Sequence, residues 1–200
     1  MDAAPERMTM SEAAEILGDH FEMISRDANR ILEHLDLPTE SKVLDVGTGM
    51  GWFAIVLALN GFTVLTGEPG SDDSIYAKQD WQGNAQKVGV ADRISFQAFS
   101  ASDLPFDDAA FDAIFFFGVL HHVEEELRTQ VLKEAFRTVT SDGVVAFIEP
   151  TKHTVDQLRE RDGSHPDPAS PLSYARGLSV DSTVIEVDRF EATLFRKGQD

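Results

Sequence analysis

The chain predicts an α/β fold: a doubly wound, mostly parallel seven-stranded sheet with helices on both faces and an antiparallel strand pair at its C-terminal end. Three observations carry this. Short apolar runs rich in β-formers alternate with stretches of helical periodicity, the order that builds a parallel sheet. The run VLDVGTGMG, Val43 to Gly51, ends an apolar strand in a glycine turn and opens directly into a helix pattern. The last stretch of chain, 182–186 and 190–196, holds two strand patterns in succession, a closing antiparallel pair.

Each element has its own signal. Across 9–35 a single helical stripe runs through Ala14, Leu17, Phe21, Ile24, Ala28, Ile31 and Leu35, with Thr9 and Glu12 spaced as a capping box. Gly18 is placed to split that helix in two, and residues 1–40 read as an N-terminal helical cap. The five parallel strands are expected at 42–46, 63–67, 93–98, 111–117 and 144–148, with helices at 50–60, 72–88 and 124–139 between them. Asn60-Gly61 stops the first of these helices, because glycine accepts the left-handed conformation of a helix end. Leu127, Val131, Leu132, Ala135, Phe136 and Val139 line one face of the last, and Ser141-Asp142-Gly143 reads as the turn into strand five. A short helix is expected at 154–161. Residues 162–174 then carry Gly163, Pro166, Pro168 and Pro171, too dense in proline for regular structure. Loops of that length are usually functional or mobile, so the segment reads as a lid or a connector. There is no repeat and no boundary, so one domain spans 1–200.

Composition bounds the function. Cysteine is absent, which removes disulfides, thiolate metal ligands and thiol nucleophiles. Thirty-five acidic against seventeen basic residues leave a net charge of −18. A field of that sign repels phosphate backbones and anionic lipid, so neither nucleic acid nor membrane is an expected partner. A solvated acidic surface serving solubility explains the charge better than a cationic substrate does. No secretion signal and no apolar run near the ~18 residues of a membrane span are present, so the expectation is a soluble cytoplasmic protein. Nothing in the sequence speaks to its oligomeric state.

The glycine turn is built to hold a nucleotide-like cofactor. Gly47, Gly49 and Gly51 alternate after Asp45, and the helix that follows points backbone N–H groups and its positive end into the turn. A dinucleotide fingerprint, G-x-G-x-x-G, would need glycine at position 52, which is Trp52. The string is D-x-G-x-G-x-G instead. Glu68 stands at the carboxyl end of the second strand, where an ionised carboxylate can accept from two ribose hydroxyls.

Together these residues resemble motif I and the acidic strand-two end of the class I S-adenosylmethionine (SAM)-dependent methyltransferases, whose domain is Rossmann-like. SASDLPFDDAAFDAIFFFGVLHHV, Ser100 to Val123, is similar to a stretch of the small-molecule members of that family. Leu104-Pro105-Phe106, Phe111-Asp112 and Leu120-His121-His122-Val123 fall in register with it. The resemblance covers about half the chain, Val43 to Pro150. It implies SAM as cofactor, with S-adenosylhomocysteine (SAH) as product. Its binding residues would be Asp45, Gly47, Thr48, Gly49, Gly51, Glu68, Ser100, Ala101, Phe117 and Gly118. Ser100 departs from the family's adenine-contacting acid, and a neutral hydroxyl binds more weakly than a carboxylate. Phe116-Phe117-Gly118-Val119 stands where amide and base N-methyltransferases carry Asn-Pro-Pro-Tyr, which points away from nucleobase and glutamine acceptors.

The implied reaction is methyl transfer to a small molecule, whose barrier falls mainly through alignment and which needs a general base only for a protonated acceptor. His121, His122 and Glu149 are the candidate bases, though the matching family histidine is more often structural. A metal site drawn from His121, His122, Glu149 and His153 is conceivable, but no spacing demands it, and no metal is expected. Two other readings stand beside the enzyme. One is a SAM- or SAH-binding regulatory or partner protein without chemistry. The other is an NAD-dependent oxidoreductase, disfavoured by Trp52.

Overall fold

The computed structural model describes residues 8–71 and 78–198. The sheet is ordered β3-β2-β1-β4-β5-β7-β6, with seven strands as the alternation of patterns predicts. Strands β1 (Lys42–Val46), β2 (Thr63–Gly67), β3 (Ile94–Phe96), β4 (Phe111–Phe117) and β5 (Val139–Pro150) run parallel. β6 (Val180–Glu186) and β7 (Phe190–Lys197) form an antiparallel hairpin, and β7 pairs antiparallel with β5.

Strand periodicity sorts the core into two layers. Val43, Ala113, Phe115, Val144, Ala146 and Ile148 face one side, against α2 (Asp19–Leu32) and α3 (Trp52–Leu59). Leu44, Val46, Ile114, Phe116, Val145 and Phe147 face the other, against α5 (Glu125–Thr138). Helix α3 is buried along its whole length, which is why its sequence is apolar on every face. Phe116 stacks on Phe147 at 4.3 Å beneath α5.

The N-terminal stripe folds as two helices, α1 (Met10–Leu17) and α2, separated at Gly18 as the sequence indicates. The Thr9/Glu12 capping box is formed. Trp52 packs edge-on against Phe21 at 5.6 Å, so the residue that spoils a dinucleotide turn is what couples α2 to α3. Asp27 accepts the Arg189 N–H at 3.0 Å, tying α2 to the β6–β7 hairpin.

Several boundaries differ from expectation. Helix α3 starts at Trp52 rather than position 50, because Gly51 is left-handed at its N-cap. β3 is three residues long rather than six, a short edge strand. Of the helix expected at 72–88, residues 72–77 lie outside the described residues, and α4 (Trp81–Lys87) begins after Asp80, whose side chain caps it. Ser141-Asp142-Gly143 is not a turn before strand five. Helix α5 passes straight into β5 at Val139, which is already extended, and the three residues lie in an irregular stretch where pairing shifts between Phe111 and Ala113. The short helix is α6 (Lys152–Arg159), two residues earlier than its pattern, because Thr151 caps it.

The stretch 162–174 is irregular apart from a 3-10 turn at Pro171–Ser173, which the proline-based expectation missed, and it is anchored. Arg159 donates to the His165 carbonyl at 2.8 Å and to Asp167 at 3.0 Å, and Arg128 donates to the Tyr174 hydroxyl at 2.9 Å. No helix among the described residues is long and apolar enough to cross a membrane.

Arg137 on α5 braces the loop that follows β3. Its guanidinium donates to the carbonyls of Leu104 (2.9 Å) and Phe106 (2.7 Å), to Asp108 (2.9 Å) and to both oxygens of Glu134. Glu134 in turn accepts the Leu104 N–H at 3.0 Å. The fork geometry suits arginine and not lysine. Arg137→Ala is expected to cost about 2–3 kcal/mol in urea unfolding, and Arg137→Lys to recover little of it.

Candidate active site

The cradle forms where β1 and β2 end side by side. Asp45 and Thr66 are register partners on the face toward α3. The Thr66 hydroxyl donates to Asp45 Oδ2 at 2.9 Å, and Thr48 Oγ1 lies 3.0 Å from Thr66 Oγ1, a buried chain of three side chains. Asp45 is 1% exposed and its Oδ1 has no partner. Burial pushes its carboxyl up to about 7; the Thr66 donation opposes that, and the nearby Glu68 charge adds to it.

The turn itself is set by close approach. Gly47 has φ of 92°, and a Cβ there would sit 2.4 Å from Val119 Cγ2, so glycine is required twice over. At Gly49 a Cβ would meet nothing within 4 Å, which leaves open space over the turn. Gly47 N–H donates to the Gly67 carbonyl at 2.8 Å, and Gly49 N–H to Glu68 Oε2 at 3.0 Å. Glu68 therefore fastens the turn to the end of β2, a second duty beyond the ribose role read from its position. The Thr48 side chain points into the buried chain, so any part it plays in lining the turn falls to its backbone.

Beyond β3, Ser100 and Ala101 sit in the loop that Arg137 braces. The Ser100 hydroxyl lies 3.0 Å from that of Ser102 and accepts the Ser102 N–H at 3.3 Å, so it is engaged in its own turn. At the end of β4, Phe117 stacks on Phe53 at 4.8 Å, and left-handed Gly118 donates to the Ile148 carbonyl at 2.7 Å. A Cβ at Gly118 would lie 3.9 Å from the His121 ring, which puts the histidines at the edge of this end of the cleft.

There the structure joins three candidates and separates a fourth. Glu149 is 3% exposed, and its carboxylate accepts the N–H groups of Leu120 (2.9 Å) and His121 (3.1 Å) and contacts His121 Nδ1 at 2.7 Å. An ionised carboxylate is an acceptor only, so His121 Nδ1 is the donor in that contact. His122 lies beside it, rings 4.1 Å apart. His153, grouped with them by sequence, is on the exposed side of α6 against Gln157. His165 from the proline-rich stretch takes its place, 5.2 Å from both rings. Burial, and then the proximity of His121, holds the His165 imidazole below its ordinary pKa. Sequence reasoning had no signal for His165, nor for Thr66 and Val119, whose roles come from strand register and a turn.

These residues fit a bound SAM. There is open space over Gly49, a carboxylate at the β2 end, and two buried polar atoms without partners flanking the turn, Asp45 Oδ1 and Trp52 Nε1. Comparison with known proteins agrees. Residues 44–147 match the family model described as a methyltransferase domain, and the chain belongs to that family. It is 31% identical over 126 residues to 27-O-demethylrifamycin SV methyltransferase of Amycolatopsis mediterranei, covering 63% of this chain and 44% of that protein. It is 31% identical over 176 residues to methyltransferase GfsG of Streptomyces halstedii, covering 88% and 58%. The chain thus spans about half the length of the curated relatives it matches. Among solved structures, geranyl diphosphate C-methyltransferase of Streptomyces coelicolor, in complex with Mg2+, geranyl diphosphate and SAH, superposes with a TM-score of 0.67 at 14% identity, covering 97% of this chain and 86% of that one. That likeness is one of fold.

Asp45 gives a stability test with a definite sign. Its folded-state pKa is raised, so the stability it contributes is full below about pH 4 and is lost as pH rises through about 7. Asp45→Asn removes that loss. The stability gap between variant and wild type is expected to widen in the variant's favour by about 2–3 kcal/mol from pH 5 to pH 8, measured by denaturant unfolding.

Proposed function

We propose that this domain binds SAM in the glycine turn and directs its methyl group to an oxygen of a small-molecule acceptor entering beside His121 and Glu149. The observation that carries the reading is the pairing of two features at the carboxyl ends of neighbouring parallel strands. A carboxylate-fastened glycine turn lies at the ends of β1 and β2, and a buried His–Glu pair lies just past β4. Bound SAM supplies a methyl group already activated by its sulfonium. The chain's work is then to bind and align. Glu68 takes the ribose hydroxyls, Asp45 supplies a buried carboxyl beneath the turn, Ser100 and Ala101 border the adenine, and the backbone of Phe117-Gly118 flanks the methionine end.

A hydroxyl acceptor arrives protonated, so its proton must leave as the new C–O bond forms. The histidine cluster around His121 is the group of side chains at the acceptor end suited to that, with Glu149 fixing the ring. The rifamycin relative's name states methylation of an oxygen, which supports the same acceptor atom here. The net charge of −18 disfavours nucleic acid and anionic membrane as acceptors.

A second reading, a SAM- or SAH-binding protein without turnover, is favoured by one observation: the Ser100 hydroxyl is already spent on Ser102. Isothermal titration with SAH and transfer of label from methyl-labelled SAM to a metabolite pool separate the readings. Micromolar SAH binding, weakened about 10–100-fold by Glu68→Ala through loss of charge-assisted hydrogen bonds, is expected, together with label transfer. Binding without transfer supports the regulatory reading; no SAH binding by folded wild type defeats both.

A further inference from the structure

Three imidazoles from two separate segments meet past the end of β4. His121 and His122 lie on a turn after the strand, and His165 is delivered by the stretch that Arg159 pins through two hydrogen bonds. One ring nitrogen of each lies within 4.8 Å of the other two. His165 is 4% exposed, and neither of its ring nitrogens has a hydrogen-bond partner. Asp162 Oδ2 lies 4.0 Å from its Nδ1, an ion-pair distance too long for a hydrogen bond. Ring packing and this contact still leave a buried ring whose nitrogens make no hydrogen bond, where buried polar atoms are normally paired.

His121 is already oriented as a ligand is. Glu149 Oε2 lies 2.7 Å from His121 Nδ1, which leaves Nε2 as the ring nitrogen available to a ligand. Glu149 is itself held by the N–H groups of Leu120 and His121. A histidine oriented by a carboxylate that is fixed in its turn is the usual outer arrangement of a metal-bound imidazole. Glu149 is therefore the orienting group and not a ligand, and His153 is outside the cluster.

We propose that His121, His122 and His165 bind one divalent transition-metal ion of the zinc class, each through one ring nitrogen, with Glu149 positioning His121. Zinc–nitrogen distances of ~2.0–2.1 Å require nitrogens ~3.4 Å apart, so the rings close by about an ångström on binding. Three nitrogen ligands leave a fourth position open. On the methyl-transfer reading, a bound ion would hold the acceptor oxygen there and ease loss of its proton, taking over the base role given above to the free histidines. Binding also ties the 162–174 stretch to the β4 turn.

The test is Zn2+ titration of chelator-stripped full chain, with Co2+ absorption as the probe of ligand geometry. One Zn2+ per chain and the visible bands of four-coordinate cobalt are expected. His165→Ala should lower the affinity by about 100-fold and abolish the bands, Glu149→Gln should lower it about 10–100-fold, and His153→Ala should leave it unchanged. A rise in the wild-type melting temperature on adding Zn2+ to stripped protein is expected as well, and it holds the test open where a variant fails to fold. Weak multi-site binding that His165→Ala does not alter would mean cations collecting on an acidic surface, and would overturn the proposal. So would the absence of Zn2+ binding and of any Zn2+-dependent melting shift. SAH titration of the same samples reads the cofactor site separately, so its failure would count against methyl transfer and not against the metal.

Discussion

The way β1 stops governs the functional end of this molecule. The strand alternates faces, so the parity that buries Val43 against α3 also buries Asp45, and β2 brings Thr66 alongside to meet it. A carboxyl in that position cannot reach water, and a single hydroxyl does not replace the hydration it has lost. The chain then turns through Gly47 under Val119 and fastens Gly49 to Glu68, which fixes the end of β2 against the end of β1. The geometry of the turn, the placement of Glu68 and the start of α3 all depend on that one junction.

Much of this was legible because it is local. A strand that must be buried on both faces is apolar throughout, and a turn that passes beneath a side chain needs glycine; both leave marks in adjacent residues. Glu68 was found for the same reason, since a strand's carboxyl end can be located from the strand. Beyond neighbours in sequence the reading lost resolution. Ser141-Asp142-Gly143 has the composition of a turn, yet pairing with β4 begins earlier, at Val139, and the residues were absorbed into an irregular strand. Arg137 looks like any exposed helix arginine until the loop it braces is folded over it. Nor does the turn's sequence show that the Thr48 side chain follows the buried hydroxyl chain to Asp45.

The histidines show the limit most clearly. His121 and His122 are adjacent in sequence and were read together. The conceivable metal set added Glu149 and His153 to them, and His153 falls in the helix after β5. The helix turns that side chain outward, and the irregular stretch beyond brings His165 inward instead. A proline-rich segment has no periodicity from which to infer a buried face, so no pattern in the chain marks His165 as interior.

Among the described residues, the buried side-chain atoms without a partner are Asp45 Oδ1, Trp52 Nε1 and the two ring nitrogens of His165. Asp45 lies beneath the glycine turn, Trp52 follows that turn at the start of α3, and His165 sits in the histidine cluster. Folding alone selects against such atoms, because each loses hydration without recovering a bond, at a cost of about 1–3 kcal/mol. Their confinement to these two places argues that both are shaped by what they bind. Stability is given up at the ends of β1 and β4, and the aromatic stacks and apolar layers between them offset the loss.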